Sequence, residues 1–423
     1  MPGVRGCRAG AAVSRPELDD LTGDQEAALD AIAKWHANGG WPPLTLGGLA
    51  GTGKTTLISL LPGVLPQARI AYAAYTGKAV SVLAGKLADA GQDGQVTTLH
   101  RLLYQPAGQV LCALSGEVLA AGMTRCYVHA GLPEGEPCPP RNAVSFTPKP
   151  DPLAGLDLVV ADEASMIPGQ LWGDLAGHGV PVLAVGDHGQ LPPVQSSFNL
   201  MARPDLLLEE IHRQHAASPI HAVAQWARGR GHIPQGAYGP GVIKIRPGDL
   251  GRPGMGLHPA EADLIICATN ATRVWHNAAM RDWHGRSGPP QAGDRVICLR
   301  NNRDQGLFNG QLGTVLDVSG PVMAGGEAAW RMTIAVEDLD LPWSGPVAAS
   351  PFGQRKPDLP RDRDLAVFDF GYAITAHKSQ GSEAPRVLVI EEGWPPPGGD
   401  DFRARWLYTA VTRARDELTV AGW

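Results

Sequence analysis

The chain has 423 residues, with 36 Lys and Arg against 42 Asp and Glu, for a formal net charge of −6. That balance excludes a bulk-basic, nucleic-acid-coating protein, so any such polymer would have to meet positive charge concentrated in a groove. A 43% hydrophobic share excludes wholesale disorder, and six scattered cysteines do not form a disulfide framework. No apolar run nears the ~20 residues of a membrane span, and no apolar segment follows Arg5, Arg8 and Arg15 as a secretory signal would require. The expectation is a soluble, cytoplasmic protein with about three domains' worth of chain.

Residues 1–16 read as frayed. A helical pattern then runs over 21–35, with Thr22 as cap and Gln25 at the capping-box spacing. Residues 44–46 form a short strand, and 48–56 a glycine-rich turn opening a helix that Pro62 stops. Residues 69–74 read as a strand, and Val80, Leu83, Ala84 and Leu87 recur at helical spacing up to Gly91. Seven prolines in 105–150 break this alternation and mark an inserted hairpin or small subdomain. Apolar runs at 156–161, broken only by Asp157, and at 180–185 then suit central parallel strands.

A second α/β unit begins near 204. Ser218-Pro219 opens a helix with Ile220, Val223, Ala224 and Ala227 on one face. A strand at 264–268 precedes a helix whose apolar residues are Val274, Trp275, Ala278, Ala279 and Trp283. Residues 291–360 turn β-like, with runs at 295–299, 314–318 and 331–336 and a hairpin signal at Asn309-Gly310. They read as a small inserted β-barrel. The chain closes with a strand at 387–390, a helix over 401–414 and a strand at 418–421. Strand–turn–helix alternation of this kind predicts an α/β fold with parallel sheets covered by helices. The expected division is a first unit of 17–104 and 151–203 carrying the 105–150 insert. A second unit of 204–290 and 361–423 carries the 291–360 barrel.

The segment Gly48-Leu49-Ala50-Gly51-Thr52-Gly53-Lys54-Thr55 satisfies the P-loop pattern, followed by Thr56. Its glycines let backbone N–H groups converge on phosphates at a helix N-terminus, where the helix dipole also favours anions. Lys54 would neutralise phosphate charge and the Thr55 hydroxyl would hold Mg²⁺. Asp162-Glu163 follows the apolar run at 156–161, where Asp162 suits Mg²⁺ and Glu163 suits polarising an attacking water. The plainer reading of that pair is a helix cap with an acid in its first turn. ATP or GTP hydrolysis follows from these segments, without its purpose.

The purpose comes from the order of further segments: Gln25, the P-loop, Tyr75-Thr76-Gly77-Lys78, Thr98-Leu99-His100, Asp162-Glu163-Ala164-Ser165, GDHGQLPPV (186–194), His212-Arg213-Gln214, AITAHKSQGSE (373–383) and YTAVTRAR (408–415). The series resembles the superfamily-one helicases, in particular the RecD/Dda-like branch, and spans nearly the whole chain. It is most similar to the compact, phage Dda-like form. The resemblance implies two RecA-like domains with one ATP between them. By that resemblance Gln25 would contact adenine, Gly381 and Glu383 would lie at the nucleotide, and Gln190 would sense the terminal phosphate. Arg213 and Arg413 would be donated from the second domain, where a guanidinium's planar fork suits transition-state phosphate oxygens. The plainer reading of Arg413 is a surface arginine near a helix end.

Thr76, Lys78, His100, Thr375, His377, Lys378 and Ser379 are the family-like positions for single-stranded DNA, where hydroxyls and cations would hold successive phosphates. Lys is scarce, eight against 28 Arg, yet Lys54, Lys78 and Lys378 all fall within motifs. The implied activity is ATP-dependent, 5′→3′ translocation with unwinding of forked or tailed duplex DNA, by a protein monomeric on DNA, in replication, repair or recombination and beside their partner proteins. The competing readings are an ATP-gated clamp on single strands and a small-molecule P-loop kinase. The 105–150 insert would be the separation pin, with Tyr104, Tyr127 or Phe146 as wedge. Tyr75 departs from the proline common at its position among relatives. Cys112, Cys126, His129 and Cys138 lie at intervals of 14, 3 and 9, without the paired Cys-x₂-Cys knuckle of a zinc site. Trp394 and its proline-rich loop read as an exposed loop with a packed Trp.

Overall fold

The computed structural model describes residues 21–92, 94, 96–112, 118–119, 140–193, 198–210, 218–302, 305–337, 339, 341–357, 359–360, 362, 365–393 and 399–423, with backbone alone for 106–112, 118–119 and 140–146. The expectations placed on residues 1–16, Cys126, Tyr127, His129, Cys138, His212, Arg213, Gln214 and Trp394, and on the side chains of Cys112 and Phe146, lie outside the described residues.

The first unit runs α1 (Gly23–Ala37), β1 (Leu44–Gly48), α2 (Lys54–Ser59), α3 (Leu61–Val64), β2 (Ile70–Ala74), α4 (Gly77–Asp89), β3 (Val96–Thr98) and α5 (Leu99–Leu103). It continues through β4 (Tyr104–Cys112), β5 (Val118–Leu119), β6 (Pro140–Pro148), β7 (Leu158–Asp162), α6 (Gly169–Ala176), β8 (Val182–Gly186) and β9 (Leu206–Leu208). Its six-stranded sheet has the order β3-β2-β7-β8-β1-β9, every pair parallel. The central strands β7 and β8 are apolar and buried on both faces, as helices on each side of a sheet demand. Pro62 does more than stop α2: it sits in the first turn of α3, where its missing N–H costs nothing. Between α5 and β7, the strands β5-β4-β6 form a separate antiparallel sheet.

The second unit runs α7 (Pro219–Arg230), β10 (Gly236–Gly239), β11 (Val242–Ile245), β12 (Leu264–Cys267), α8 (Asn270–Trp283), β13 (Arg295–Cys298), β14 (Leu312–Ala324), β15 (Glu327–Val336), β16 (Trp343–Ala348), β17 (Phe368–Phe370), β18 (Ala373–Thr375), α9 (Ala376–Ser379), β19 (Ala384–Ile390), α10 (Gly399–Val411) and β20 (Ala414–Ala421). Strands β10-β11-β20-β19-β12-β18 make a second sheet, parallel except for the β10/β11 hairpin. Ile220, Val223, Ala224 and Ala227 of α7 are buried as their spacing predicts. The order β16-β15-β14-β13-β17 makes a five-stranded antiparallel sheet. A bridge from Val347 to Ala366, just ahead of β17, draws its two edges together.

Two readings change. The tight hairpin of the barrel turns at Gly325-Gly326, where both residues take positive φ (58° and 78°) and Ala324 pairs with Glu327. Asn309-Gly310 instead lies in the longer connection between β13 and β14. The second correction is α8, whose buried face is polar: Arg273, His276, Asn277, Met280 and Arg281 point inward while Trp275 and Trp283 are 65% and 63% exposed. Arg273, Asn277 and Arg281 each have hydrogen-bond partners. Arg273 Nη1 donates to Asp369 Oδ2 at 2.5 Å, and Asn277 Nδ2 donates to the Phe370 and Ala373 carbonyls. Arg281 Nε donates to Asp294, and its other nitrogens donate to the Gly288 and Pro289 carbonyls at 2.8 and 2.6 Å. The Arg281 guanidinium also lies 4.0 Å from the centre of the Phe370 ring. Paired charges thus replace the apolar stripe that a core-facing helix usually needs, and they tie the barrel's strands to α8. No helix among the described residues is long and apolar enough to cross a membrane.

Removing the guanidinium of Arg281 would leave the fully buried Asp294 carboxylate without its cation. Arg281→Ala is expected to lower unfolding stability by about 3–5 kcal/mol in chemical denaturation, as loss of one partner of a buried pair does.

Candidate nucleotide site and strand track

The site is built from the carboxyl ends of parallel strands. Gly47 of β1 pairs with Gly186 of β8, and Ala161 of β7 pairs with Ala184 of β8, so the three strands end side by side. From β1 emerges the P-loop, from β7 the Asp162-Glu163 pair and from β8 the Asp187–Gln190 loop. Crevices at the ends of parallel strands are where open α/β sheets bind ligands.

Gly51 and Gly53 have φ of 83° and 74°, conformations that free a loop to turn its N–H groups inward before α2. Lys54 Nζ lies within the loop, donating to the Gly48 and Leu49 carbonyls at 2.8 Å. Gly48 and Thr52 form the wall behind it, Thr52 Oγ1 donating to Leu49 O at 2.9 Å. Gln25 is fully buried: Nε2 donates to Thr52 O at 2.8 Å and Oε1 accepts the Thr22 N–H at 3.0 Å. It therefore braces the loop from behind and does not line the cavity.

That cavity, about 490 Å³, is lined by Ala50, Gly51, Gly53, Lys54, Thr55, Thr56, Asp162, Glu163 and Gln190 from the first unit and by Gly381, Glu383 and Arg413 from the second. Helix α4 supplies a wall that sequence reasoning missed, with Val82, Leu83, Lys86 and Asp89. Asp187 also reaches the cavity, a role the sequence pattern assigns in that segment to Gln190 alone.

Asp162 Oδ1 accepts the N–H of Glu163 at 2.8 Å, which turns the next residue back over the strand end. Glu163 is the one non-glycine residue with positive φ among those described, at φ 51°. Such a conformation costs on the order of 1–3 kcal/mol and is held by the structure around it. Burial, then the neighbouring Asp162 carboxylate, pushes the Glu163 carboxyl up to about 7, against the pull of Arg413 and Lys54. Burial also raises Asp162. A carboxyl poised near 7 suits a general base.

Arg413 is 5% exposed and held by oxygens of its own unit, donating to Thr409 O, Ser382 O and Thr412 Oγ1 at 3.0–3.2 Å. No carboxylate pairs with it among the described contacts, which leaves its charge directed at the cavity. Gln190 Oε1 and Ser382 Oγ are buried without a hydrogen-bond partner among the described residues. Orphaned polar atoms beside a cation, a phosphate-type loop and two carboxylates fit a nucleotide with its metal ion. Among the oxygen donors lining the cavity, Thr55 and Asp162 suit Mg²⁺, an ion that usually takes few protein ligands. No cluster of three His, Cys, Asp or Glu able to hold a metal occurs among the described residues.

The family-like strand positions fall into two groups. Thr76 caps α4 through its Oγ1, accepting the Ala79 N–H at 3.1 Å, and His100 lies exposed between the rings of Tyr75 and Tyr104 at 6.3 and 5.6 Å. Tyr104 donates to Asp174 of α6. Lys78 is 7% exposed and its Nζ lies 3.8 Å from Glu337 of the loop after β15, which also accepts from Arg295 at 2.8 Å. The barrel reaches this group from a second direction: a Cβ on Gly77 would fall 2.3 Å from the Phe308 ring. On α9 and its cap, Thr375 and His377 are half-buried, and burial lowers the His377 imidazole. Burial and Arg273 bring the Lys378 ammonium down to about 8. Ser379 does not face outward, being fully buried with Oγ donating to Ala376 O at 2.8 Å.

Comparison with known proteins finds relatives over the same span. A family model described as AAA domain matches residues 20–238, and one described as UvrD-like helicase C-terminal domain matches 370–421. The ATP-dependent RecD2 DNA helicase of Deinococcus radiodurans is 28% identical over 97% of this chain and 50% of its own length. The RecBCD enzyme subunit RecD of Mycobacterium tuberculosis is 26% identical over 89% of this chain and 66% of its own. The chain thus spans about half to two thirds of the length of these curated relatives. A Pif1 helicase from Bacteroides, solved with ADP-AlF3 and single-stranded DNA, has the same fold with a TM-score of 0.54 at 18% identity, over 95% of this chain and 92% of that one. The similarity to RecD-type helicases expected from the motifs is thus met along nearly the whole sequence.

If Glu163 is the base, its deprotonated form is the active one and forms as pH rises through about 7. The pH profile of kcat/KM for nucleotide hydrolysis is expected to climb over that interval, and Glu163→Gln to lose activity on the order of 10²-fold or more.

Proposed function

Since the chain belongs to the AAA domain family, we propose that it is an ATP-dependent DNA helicase that translocates 5′→3′ along single-stranded DNA and unwinds forked or tailed duplexes. The observation that carries this reading is the shared cavity, in which Arg413, Gly381 and Glu383 of the second unit face the P-loop and acidic pair of the first. A nucleotide held there touches both units, so closing or opening the cleft moves one sheet against the other. The likeness to RecD-type relatives supports DNA as the polymer, and the polarity rests on the family resemblance.

The proposed division of labour follows from the chemistry of each group. The P-loop backbone N–H groups after Ala50 and the ammonium of Lys54 hold the phosphates. Thr55 and Asp162 hold Mg²⁺, which when bound neutralises triphosphate charge. Glu163 takes the proton of the attacking water, Gln190 orients that water against the terminal phosphate, and Arg413 stabilises charge that builds up on it. Arg213 is proposed as a second such arginine, and Gln25 as the brace of the adenine side. Thr76, Lys78, His100, Thr375, His377 and Lys378 are proposed to follow the strand, with the β4–β6 sheet as the pin. The protein is proposed to act in the cytoplasm as a monomer on DNA, beside replication or recombination proteins.

Two measurements test this. Lys54→Ala is expected to abolish ATP turnover in a folded protein. Arg413→Ala should lower kcat on the order of 10²–10³-fold with little change in ATP binding. Unwinding assayed on matched duplexes with a 5′ or a 3′ single-stranded tail is expected only with the 5′ tail. Separation of the 3′-tailed duplex alone reverses the polarity, and strand-stimulated hydrolysis without separation of either makes the protein a clamp.

A further inference from the structure

One hydroxyl joins parts of the site that lie more than two hundred residues apart in sequence. Tyr408, near the end of α10, is 2% exposed. Its Oη accepts the Ala50 N–H of the P-loop at 2.9 Å and donates to Asp187 Oδ2 at 2.8 Å. Asp187 passes the contact on. Its Oδ1 accepts the Gly189 N–H at 2.8 Å, its carbonyl accepts the Gln190 N–H at 3.2 Å, and Oδ2 lies 3.4 Å from Gln190 Nε2. The ring reaches this position because residue 189 has no side chain: a Cβ there would come 2.8 Å from the Tyr408 ring.

The contact is specific to the hydroxyl. Helix α10 grips the same loop at two other points, Thr409 Oγ1 accepting the Leu191 N–H at 3.0 Å and Arg405 Nη1 donating to His188 O at 2.7 Å. Gln380 Nε2 adds a third, donating to Leu191 O at 3.0 Å. These bonds and the ring packing remain in a phenylalanine variant. What such a variant loses is the joint between P-loop and Asp187. The half-buried Ala50 N–H then loses its partner and Asp187 Oδ2 keeps only the 3.4 Å approach of Gln190 Nε2, and groups that lose a partner rearrange to find another or water.

We infer that Tyr408 is a positioning residue for ATP hydrolysis: its hydroxyl holds the Ala50 amide and the Asp187 carboxylate in one register, so that Gln190 is set against the P-loop when α10 is docked on the first unit. The inference rests on the ATP-driven reading of the cleft and deepens it. Arg413 lies five residues further along the chain, so helix docking brings a cation and sets a glutamine in one movement. Tyr408 touches neither the reacting water nor the phosphate in this scheme. It acts on rate through Gln190 and leaves nucleotide capture to Lys54 and the remaining P-loop N–H groups.

The test compares wild type, Tyr408→Phe, Asp187→Asn and the double variant as full chains, with saturating single-stranded DNA. Tyr408→Phe is expected to lower kcat about tenfold or more while KM for ATP changes less than about threefold. The double variant should lose no more than the larger single loss, as two members of one unit behave. Amide hydrogen exchange without nucleotide should quicken in the 49–53 and 187–191 segments of Tyr408→Phe and stay unchanged in β12. Unaltered kcat, additive losses, or a lower Tm with wild-type kcat in the folded fraction would each overturn the inference. Wild-type protein without ATP hydrolysis would instead sink the proposed function. The exchange comparison would then decide this inference by itself, and unchanged exchange at Ala50 would refute it.

Discussion

The alignment of three neighbouring parallel strand ends is the constraint from which the chemistry follows. Because β1, β8 and β7 pair in register, their carboxyl ends deliver the P-loop, Asp187 and the Asp162-Glu163 pair into one crevice. Shifting one of these strands by a residue would turn its side chains to the other face and scatter the groups. Register is held by full burial of β7 and β8, whose apolar side chains pack against helices on both faces. The cost of the arrangement appears at Glu163, whose left-handed backbone and raised carboxyl are sustained by the strand end beneath it.

The second constraint is how the two α/β units meet. The loop after β8 belongs to the first sheet, yet its backbone is satisfied by Thr409, Arg405 and Gln380 of the second. Side chains that satisfy backbone groups across a boundary make the contact directional in a way apolar packing does not. Such bonds fix which residues of α10 face the P-loop. They also leave the boundary able to break in discrete steps, as a cleft that opens and closes requires.

The barrel is attached to the second unit by charge. Arg273 with Asp369 and Arg281 with Asp294 are nearly or fully buried, and their geometry is completed by backbone carbonyls. From that anchorage the barrel reaches the first unit, where Phe308 lies on Gly77 and Glu337 lies beside Lys78. A carboxylate near a family-like phosphate-binding lysine gives the barrel a direct electrostatic relation to the proposed strand track. Lys378 answers to the anchorage itself, its ammonium lowered by burial and by Arg273.

Much of this was legible in the sequence because it is local. Glycines, a lysine and a hydroxyl at fixed spacing announce a P-loop wherever they follow a strand, and apolar runs announce β7 and β8. The buried face of α8 was not legible, since a periodicity rule looks for apolar residues and this helix buries arginines and an asparagine. The tight barrel turn was misplaced because Asn309-Gly310 carries the stronger dipeptide signal, while pairing of Ala324 with Glu327 depends on strands elsewhere. Nor does sequence say that Gln25 turns toward Thr52, that Ser379 turns inward, or that Glu337 comes to Lys78. The sequence alone determined the α/β class, the order of the phosphate and acidic motifs and their resemblance to a family, since backbone geometry and hydrophobic burial act over a few neighbouring residues. Tertiary structure alone decided which side chains meet: Tyr408 bonds Ala50 358 residues away because the second sheet docks against the first, and no local pattern carries the position of a distant surface.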